Sequence, residues 1–163
     1  MAKKIAIGIV LLVVLGGAIS FYWAGGTSRR VKSNTPSKGF VKEGEVTFLD
    51  SVGNALIKID VEIASRPEER TKGMMYRDNM PARFGMLFMF EQMGQRSFWM
   101  RNCPLPLDLI FLDDGKKIVS IQPNAKPYSD DPIPSGVPAM YVIEVNAGFC
   151  DLHGVQVGQV TQF

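Results

Sequence analysis

The sequence predicts a mainly β (α+β) protein, a compact barrel-like roll of short strands with one or two small helices, placed after an N-terminal transmembrane segment. Sixteen glycines and ten prolines in 163 residues indicate many turns and few long helices. Short apolar segments alternate with polar ones, and the first part of the chain contains a long run without charge. The predicted organisation is an anchor at 1–24, a flexible polar tether at 25–42 and a single β-rich domain at 43–163.

The N-terminal run, Ile5 to Trp23, contains 19 residues and no charge. As a helix it would span about 28 Å, close to the thickness of a bilayer core. Its last three residues are aromatic, as is typical of a membrane interface. We predict a single-pass anchor in the cytoplasmic membrane, with the domain facing the periplasm or extracytoplasmic side because so short a leader normally stays inside. The alternative is a signal peptide cleaved near the small residues 24–26, which would secrete the domain to the periplasm.

Charge and composition limit the partners. Residues 25–42 are polar, basic and rich in Gly, Ser and Pro, which indicates a flexible tether. The net charge is +2, and Lys3 and Lys4 before the apolar run account for it, so the sequence gives no electrostatic reason to expect nucleic acid. The expected partners are the membrane, through the N-terminal helix, and an unknown small polar ligand or protein.

The predicted domain begins with a hairpin. Residues 45–50 and 55–64 read as its strands, with a turn at Gly53-Asn54 between them. Ser65 and Glu68 form a capping pattern around Pro67, which predicts a short helix that ends near Gly73. Later strands are predicted at 85–90, 96–100, 107–113, 117–122 and 139–148, with a polar loop at 125–138, a short helix near 149–154 and a terminal strand near 159–163.

Asp108 interrupts the apolar run Leu107–Leu112, so its carboxylate is expected to be buried. A buried carboxylate needs an arginine or several N–H donors. One interpretation is a structural ion pair. The other is a polar pocket that contains Asp108, Asn102 and an arginine, with Trp99 as one wall, suited to a small polar or sugar-like ligand. The candidate arginines are Arg70, Arg77 and Arg101.

Two further arrangements stay open. Glu144 is a second carboxylate in an apolar strand, and together with Asp108 it could form the acid/base pair of a hydrolase-like enzyme. Cys103 and Cys150 could form a disulfide in an oxidising compartment.

Seven of the nine methionines lie between Met74 and Met100, and thioethers bind Cu(I) as well as fill irregular cores. A copper accessory protein that uses methionine and cysteine is therefore a further alternative. The single histidine, His153, excludes a histidine-rich zinc site, and no serine elbow, phosphate loop or dinucleotide motif occurs. We expect no cofactor and no metal site, and we favour a binding or accessory domain over an enzyme.

The segments "ERTKGMMYRDNM", "GMLFMF", "FWMRNCPLPLDLIFLDDGKKIVSI" and "YVIEVNAG", in that order, resemble the family called domain of unknown function 192. The resemblance covers roughly residues 45–160 and implies a small β-rich domain that commonly follows a leader or anchor; it implies no activity. The family's recurring positions fall here on Arg70, Gly73, Met75, Arg77, Gly85, Met86, Phe88, Phe90, Trp99, Met100, Asn102, Pro106, Asp108, Glu144 and Gly148. Cys103 stands where the family usually has threonine, which weakens any general role for a thiol there.

Overall fold

The computed structural model describes residues 39–163, so the predicted anchor and most of the predicted tether lie outside the described residues. Within the described part of the chain, no helix is long and apolar enough to cross a membrane. The elements are β1 (Gly44–Leu49), β2 (Ala55–Ala64), α1 (Pro67–Lys72), β3 (Phe84–Phe98), β4 (Leu107–Leu112), β5 (Ile118–Ala125), β6 (Ile133–Asn146), α2 (Phe149–His153) and β7 (Thr161–Gln162). The domain is therefore mainly β with two small helices.

The strands form one sheet in the order β5-β4-β6-β3-β2-β1-β7. All neighbours are antiparallel except β2 and β3, which pair in parallel from Asp60–Phe84 to Ala64–Phe88 and are connected through α1. The sheet curls so far that its two ends meet at a bridge between Lys117 and Val160. This half-barrel agrees with the predicted β-rich class at the level of a curled sheet.

Apolar side chains cover both faces of the sheet, because β4 is buried at every position and alternates its side chains between two clusters. Ile110 and Leu112 join the first cluster, which contains residues of β1, β2 and α2. Leu107, Leu109 and Phe111 join the second, which contains Met74, Phe88 and Met100. Successive side chains in β4 and β6 therefore point to opposite faces of the sheet.

Two strands differ from the prediction. The segments 85–90 and 96–100 were expected as separate strands, whereas β3 runs through both, with irregular pairing between Met89 and Gly94 that lets it continue. Ile133, placed by the sequence in a polar loop, pairs with Phe98 at the far end of β3. Pro134 and Pro138 are tolerated in this part of β6 because the pairing with β3 is interrupted by register shifts.

The start of α1 also differs. Arg66, rather than Ser65, is the N-cap, and Glu69, rather than Glu68, closes the capping box by accepting the Arg66 backbone N–H at 3.0 Å. The same carboxylate accepts the Ser65 backbone N–H at 3.1 Å. One glutamate thus satisfies two donors at the helix start, which explains the shift by one residue.

The first contacts of the domain come before Glu43. The Phe40 ring lies 4.8 Å from the Phe84 ring, centroid to centroid, and the Val41 N–H donates to Glu62 at 2.8 Å. The last residues assigned to the tether therefore pack on the domain.

Candidate functional site

Asp108 is fully buried, and within residues 39–163 no arginine hydrogen-bonds or forms a salt bridge with it. Its Oδ1 accepts the backbone N–H groups of Asn124 and Gly148 at 3.0 and 3.2 Å, and its Oδ2 accepts that of Cys150 at 3.0 Å. Gly148 is the N-cap of α2 and has no side chain to cap the helix. Asp108 therefore caps α2 from a neighbouring strand, and of the two kinds of partner that the sequence left open, an arginine or several N–H donors, the structure has the N–H donors.

Glu144 lies on the opposite face. In the pairing of β4 with β6 it stands beside Leu109, whereas Asp108 stands beside Val145. Leu109 and Val145 belong to the two different core clusters. The sheet thus separates the two carboxylates, and the groove that a paired-carboxylate hydrolase requires is not formed by them.

A cleft of about 390 Å³ opens above Glu144. It lies between α1 with the turn that follows it, the second half of β3, and the loop from Trp99 to Cys103. Gly73 has a φ of 43°, and a Cβ at this position would stand 3.3 Å from the Phe88 ring. A larger residue would strain this turn at the cleft wall.

Glu144 is 4% exposed, and its Oε2 has no hydrogen-bond partner among residues 39–163. Burial raises the pKa of Glu144 to about 8, so the carboxyl is mostly protonated at neutral pH. A protonated carboxyl donates one O–H and still accepts at its other oxygen. The cleft therefore presents a neutral group that can hydrogen-bond a bound molecule.

The other charged residues that line the cleft are all cations: Arg70, Lys72, Arg96 and Arg101. Arg70 and Arg96 both stack on Phe90, with their Cζ atoms 5.0 and 3.9 Å from the ring centroid. Burial lowers the pKa of Arg96, and the charge of Arg70 over the same ring lowers it further.

Backbone carbonyls hold these two arginines in place. Arg70 Nη1 donates to the Met89 carbonyl at 3.0 Å, and Arg96 Nε donates to the Ala139 carbonyl at 3.0 Å. Neither forms a salt bridge with a carboxylate in the described part of the chain. Their charges are therefore not neutralised and their remaining N–H groups can meet an anion.

Trp99 and Arg101 form the outer edge of the cleft. The Arg101 Cζ lies 4.8 Å from the Trp99 ring, and Arg101 Nε is 2.6 Å from Asp130 Oδ1. Both partners of this ion pair are largely exposed, so it contributes little to stability. Asn102 does not line the cleft; its Nδ2 donates to the Tyr76 hydroxyl at 2.9 Å in an adjoining turn.

Arg77 lies away from the cleft. Its Nη2 is 2.5 Å from Glu62 Oε2, both side chains are nearly buried, and its guanidinium lies 4.4 Å over the Phe40 ring. Of the seven predicted polar residues, the cleft contains Arg70, Trp99, Arg101 and Glu144, whereas Arg77, Asn102 and Asp108 have other roles.

Both cysteines are buried and free, so the disulfide that the sequence left open as a possibility is not formed. Cys103 lines the cleft, whereas Cys150 belongs to the cluster on the other face of the sheet. Burial raises the pKa of Cys103 to about 11 and that of Cys150 even further, which makes both thiols poor nucleophiles at neutral pH. His153 stacks on Phe149, with ring centroids 4.6 Å apart.

No group of three or more His, Cys, Asp or Glu side chains within residues 39–163 is arranged to hold a metal ion. The lining of the cleft nevertheless includes four sulfur-containing residues. Met74, Met75, Met100 and Cys103 all line the cleft.

The sequence did not point to Arg96, Phe90 or Lys72 as site residues. Arg96 and Phe90 meet because β3 is one continuous strand with an irregular middle, and its prediction as two segments hid the contact. The basic end of α1, with Arg70 and Lys72 in its last turn, was a signal that could have indicated the cleft rim.

These features define a small β-rich domain that carries a basic cleft with a neutral carboxyl at its base. The chain belongs to the domain of unknown function 192 family, an uncharacterised family (described as "Uncharacterized ACR") whose model matches residues 49–163. The prediction of this family from the sequence is confirmed.

Two solved structures are similar to this chain. A protein of Sinorhizobium meliloti 1021, provisionally described as a transcription regulator, is 36% identical over 76% of this chain and 95% of its own, with a TM-score of 0.71. A protein of unknown function from Novosphingobium aromaticivorans DSM 12444 is 30% identical over 78% of this chain and 89% of its own, with a TM-score of 0.72. No curated protein matches the chain.

Proposed function

We propose that this protein is a membrane-tethered, extracytoplasmic binding domain that holds a small anionic ligand in the cleft above Glu144. One observation carries the proposal: a carboxyl oxygen of Glu144 is buried without a partner among residues 39–163, in a cleft whose other charged residues are all cations. A buried polar group without a partner costs about 1–3 kcal/mol, and native proteins contain few of them. A bound ligand would supply the missing partner.

The rim determines the sign of the ligand's charge. Arg70 and Arg96 share one aromatic ring and have no carboxylate partner among the described residues, so they repel each other until an anion binds. Arginine also matches the geometry of carboxylate and phosphate oxygens. An anionic group at the rim is thus the complement that this cleft lacks.

The size and walls of the cleft fit a small molecule. About 390 Å³ is within the range of small-ligand sites. Apolar side chains such as Phe88, Phe98 and Leu107 line the cleft together with Glu144. The ligand would therefore have a compact body between its acidic group and the group that meets Glu144.

A thermal-shift screen of the full-length chain in mild detergent tests this function. The probes are small acids with neutral counterparts, for example glucuronate with glucose, galacturonate with galactose, and succinate with succinamide, together with inorganic phosphate. We expect at least one acid, and not its neutral counterpart, to raise the unfolding temperature, because ligands that bind only the native state stabilise it.

Matched variants assign that shift to the cleft. Arg70→Gln removes a rim charge, whereas Arg83→Gln removes an exposed charge that does not line the cleft. The shift should disappear in the first variant and persist in the second. No shift with any acid, or an equal loss in both variants, would overturn the proposal.

The tether and its location rest on the apolar run Ile5 to Trp23 and on the basic, Pro- and Gly-containing segment that follows it. Phosphatase and green fluorescent protein fusions at the C-terminus test the orientation. An active phosphatase with a dark fluorescent protein is the expected result. The reverse pattern would place the domain in the cytoplasm, and release of the domain from washed membranes would favour the secreted form.

A second candidate function is supported by the sulfur atoms. Met74, Met100 and Cys103 are buried and line one cleft, and soft ligands of this kind select Cu(I). Titration of Cu(I) into the full-length chain against a chromophoric chelator tests this function. Stoichiometric uptake that is lost in Met100→Leu, and retained in Met93→Leu outside the cleft, would support copper binding; no competition with the chelator would discard it.

The Sinorhizobium meliloti relative is provisionally described as a transcription regulator, which raises the question of nucleic-acid binding. For this chain we keep the expectation that nucleic acid is not a partner, because its net charge is only +2 and two lysines before the apolar run account for it. Salt-sensitive retention of the protein by random-sequence duplex DNA would contradict this expectation.

A further inference from the structure

We propose that the ligand is an acidic oligosaccharide, whose carboxylate enters the cleft while its neighbouring sugar rings lie on an aromatic surface formed by Tyr76, Trp99 and Tyr128. This inference rests on the proposed function and adds the chemical class of the ligand. It starts from side chains that the cleft alone does not explain.

The three rings are large and exposed. Tyr76 is 65% exposed, Trp99 45% and Tyr128 68%, although the same domain buries its phenylalanines Phe48, Phe88 and Phe111 almost completely. Contiguous exposed apolar patches mark binding sites, whereas single exposed apolar residues are common on protein surfaces. The aromatic surface adjoins the cleft, because Met75, Trp99 and Cys103 line the cleft beside it.

Hydrogen bonds tie the turns of this surface together. The Tyr76 N–H donates to the Asn102 carbonyl at 2.8 Å, and the Tyr128 N–H donates to the Cys103 carbonyl at 3.1 Å. The Met100 N–H donates to the Ser129 carbonyl at 2.9 Å. Three segments far apart in the sequence are thus fixed to one another, so Tyr76, Trp99 and Tyr128 belong to turns that adjoin.

The backbone at this surface is unusual. Tyr76, Asn102 and Tyr128 have φ angles of 63°, 54° and 59°, a region that residues other than glycine seldom adopt. Bulky tyrosines in such conformations are true outliers, and outliers of this kind concentrate at functional sites. A turn needed only for chain reversal would be built at lower cost with glycine.

The chemistry of the surface favours a saccharide. The faces of sugar rings carry C–H groups that pack on aromatic rings, and their edges carry hydroxyls that need planar hydrogen-bonding groups. Tyrosine and tryptophan combine an apolar face with a polar edge. Arg101, Asn102 and Asp130 lie beside these rings with guanidinium, amide and carboxylate groups at the surface.

The charges of the cleft favour an acidic sugar over a neutral one. A neutral sugar would leave Arg70 and Arg96 without a counter-charge, whereas a uronic acid places its carboxylate at the rim. A hydroxyl or carbonyl of the same sugar can meet the Glu144 oxygen that has no partner in the described part of the chain. The cleft thus takes one acidic unit and the aromatic surface takes the next units of the chain.

Calorimetric titration of the full-length chain in mild detergent with galacturonic acid, trigalacturonic acid and neutral maltotriose tests the inference. We expect the acidic trimer to bind at least about tenfold more tightly than the acidic monomer, because it adds ring contacts. The neutral trimer should bind far more weakly than the acidic trimer. Tyr76→Ala and Tyr128→Ala should remove most of the trimer's advantage and leave the affinity for the monomer unchanged.

Two controls keep the test specific. Tyr76→Phe keeps the ring without the hydroxyl and should retain most of the trimer's advantage, which a purely structural loss would not allow. Leu152→Ala removes an exposed apolar side chain from α2, away from the cleft, and should have no effect. Unfolding temperatures of all variants are measured first, so that an unfolded variant is not counted.

The outcomes separate the two proposals. If galacturonic acid binds through Arg70 but the trimer binds no tighter, the saccharide chain is overturned and the proposed function stands. If other small acids bind but glucuronate and galacturonate do not, the assignment of the ligand as an acidic saccharide is wrong. If no acid binds at all, the proposed function fails together with this inference.

Discussion

The backbone N–H of Cys150 donates a 3.0 Å hydrogen bond to Oδ2 of Asp108, which connects the first turn of α2 to strand β4. Asp108 also accepts the N–H of Gly148, the N-cap of that helix, and the N–H of Asn124 near the end of β5. One buried carboxylate thus fixes three segments. The position of Asp108 in an apolar strand is therefore explained by its role as a hydrogen-bond acceptor for these segments. The candidate ligand site lies on the other face of the sheet.

Asp108→Ala should lower the free energy of unfolding by about 3 kcal/mol or more, because it leaves three backbone donors without their acceptor. Urea denaturation followed by circular dichroism measures this loss. Asp114→Asn, at an exposed turn position, should change stability by less than about 0.5 kcal/mol. A stability loss in Asp108→Ala no larger than in Asp114→Asn would contradict the capping role.

Glu144 should make the protein less stable as the pH rises. Burial raises its pKa to about 8 from an ordinary value of 4.5, so between these values the unfolded chain releases a proton that the folded chain keeps. The stabilisation from this group is full below about pH 4.5 and lost progressively towards pH 8, by roughly 3 to 5 kcal/mol in all.

Glu144→Gln removes this titration and keeps the shape of the side chain. Its unfolding temperature should match that of the unchanged protein near pH 5 and exceed it near pH 8.5. Thermal melts of both proteins at these two pH values provide the measurement. Equal pH dependence in the two proteins would show that Glu144 ionises normally.

Gly85→Ala should be strongly destabilising. A Cβ at Gly85 would stand 2.7 Å from the Glu144 carbonyl oxygen, a backbone atom that cannot move away without distorting the pairing of β3 with β6. We expect a loss of about 2 kcal/mol or more. At Gly94 in the same strand the nearest atoms, in the Arg96 guanidinium, lie at 3.6 Å, an ordinary van der Waals distance, so Gly94→Ala is the matched control and should lose much less.

Arg77 and Glu62 form a nearly buried ion pair, with side chains 11% and 10% exposed. Glu62→Leu alone should cost about 3–5 kcal/mol, because it leaves the buried guanidinium without its partner. The double variant Glu62→Leu with Arg77→Met should recover most of that loss. A double-mutant cycle in urea measures the coupling; additive losses would contradict an interacting pair.

The regular parts of the fold were predictable because local patterns determine them. The alternation in residues 55–64 gave β2, and Asp113-Asp114-Gly115 lies at the turn between β4 and β5. The length of β3 and the early start of β6 were not predictable, because these two strands stabilise each other across more than thirty residues of sequence and through irregular pairing.

The candidate site was only partly predictable for a related reason. The sequence showed that Asp108 and Glu144 were unusual carboxylates, but it could not show that β4 and β6 turn them to opposite faces. That depends on the register between strands, and a shift by one residue would exchange the faces. The three residues whose N–H groups bind Asp108 could not be predicted either, because every residue except proline has a backbone N–H.

The central claim is that the cleft binds an anion, and Trp99 at its rim offers the most direct measurement. The full-length chain contains two tryptophans, so Trp23→Phe leaves Trp99 as the only fluorescent indole. Titration of this variant with glucuronate at pH 7 should give a saturable change in fluorescence that glucose does not give and that Arg70→Gln abolishes. A signal that does not saturate with glucuronate or any other small acid tested, or that is identical with glucose, would contradict the claim.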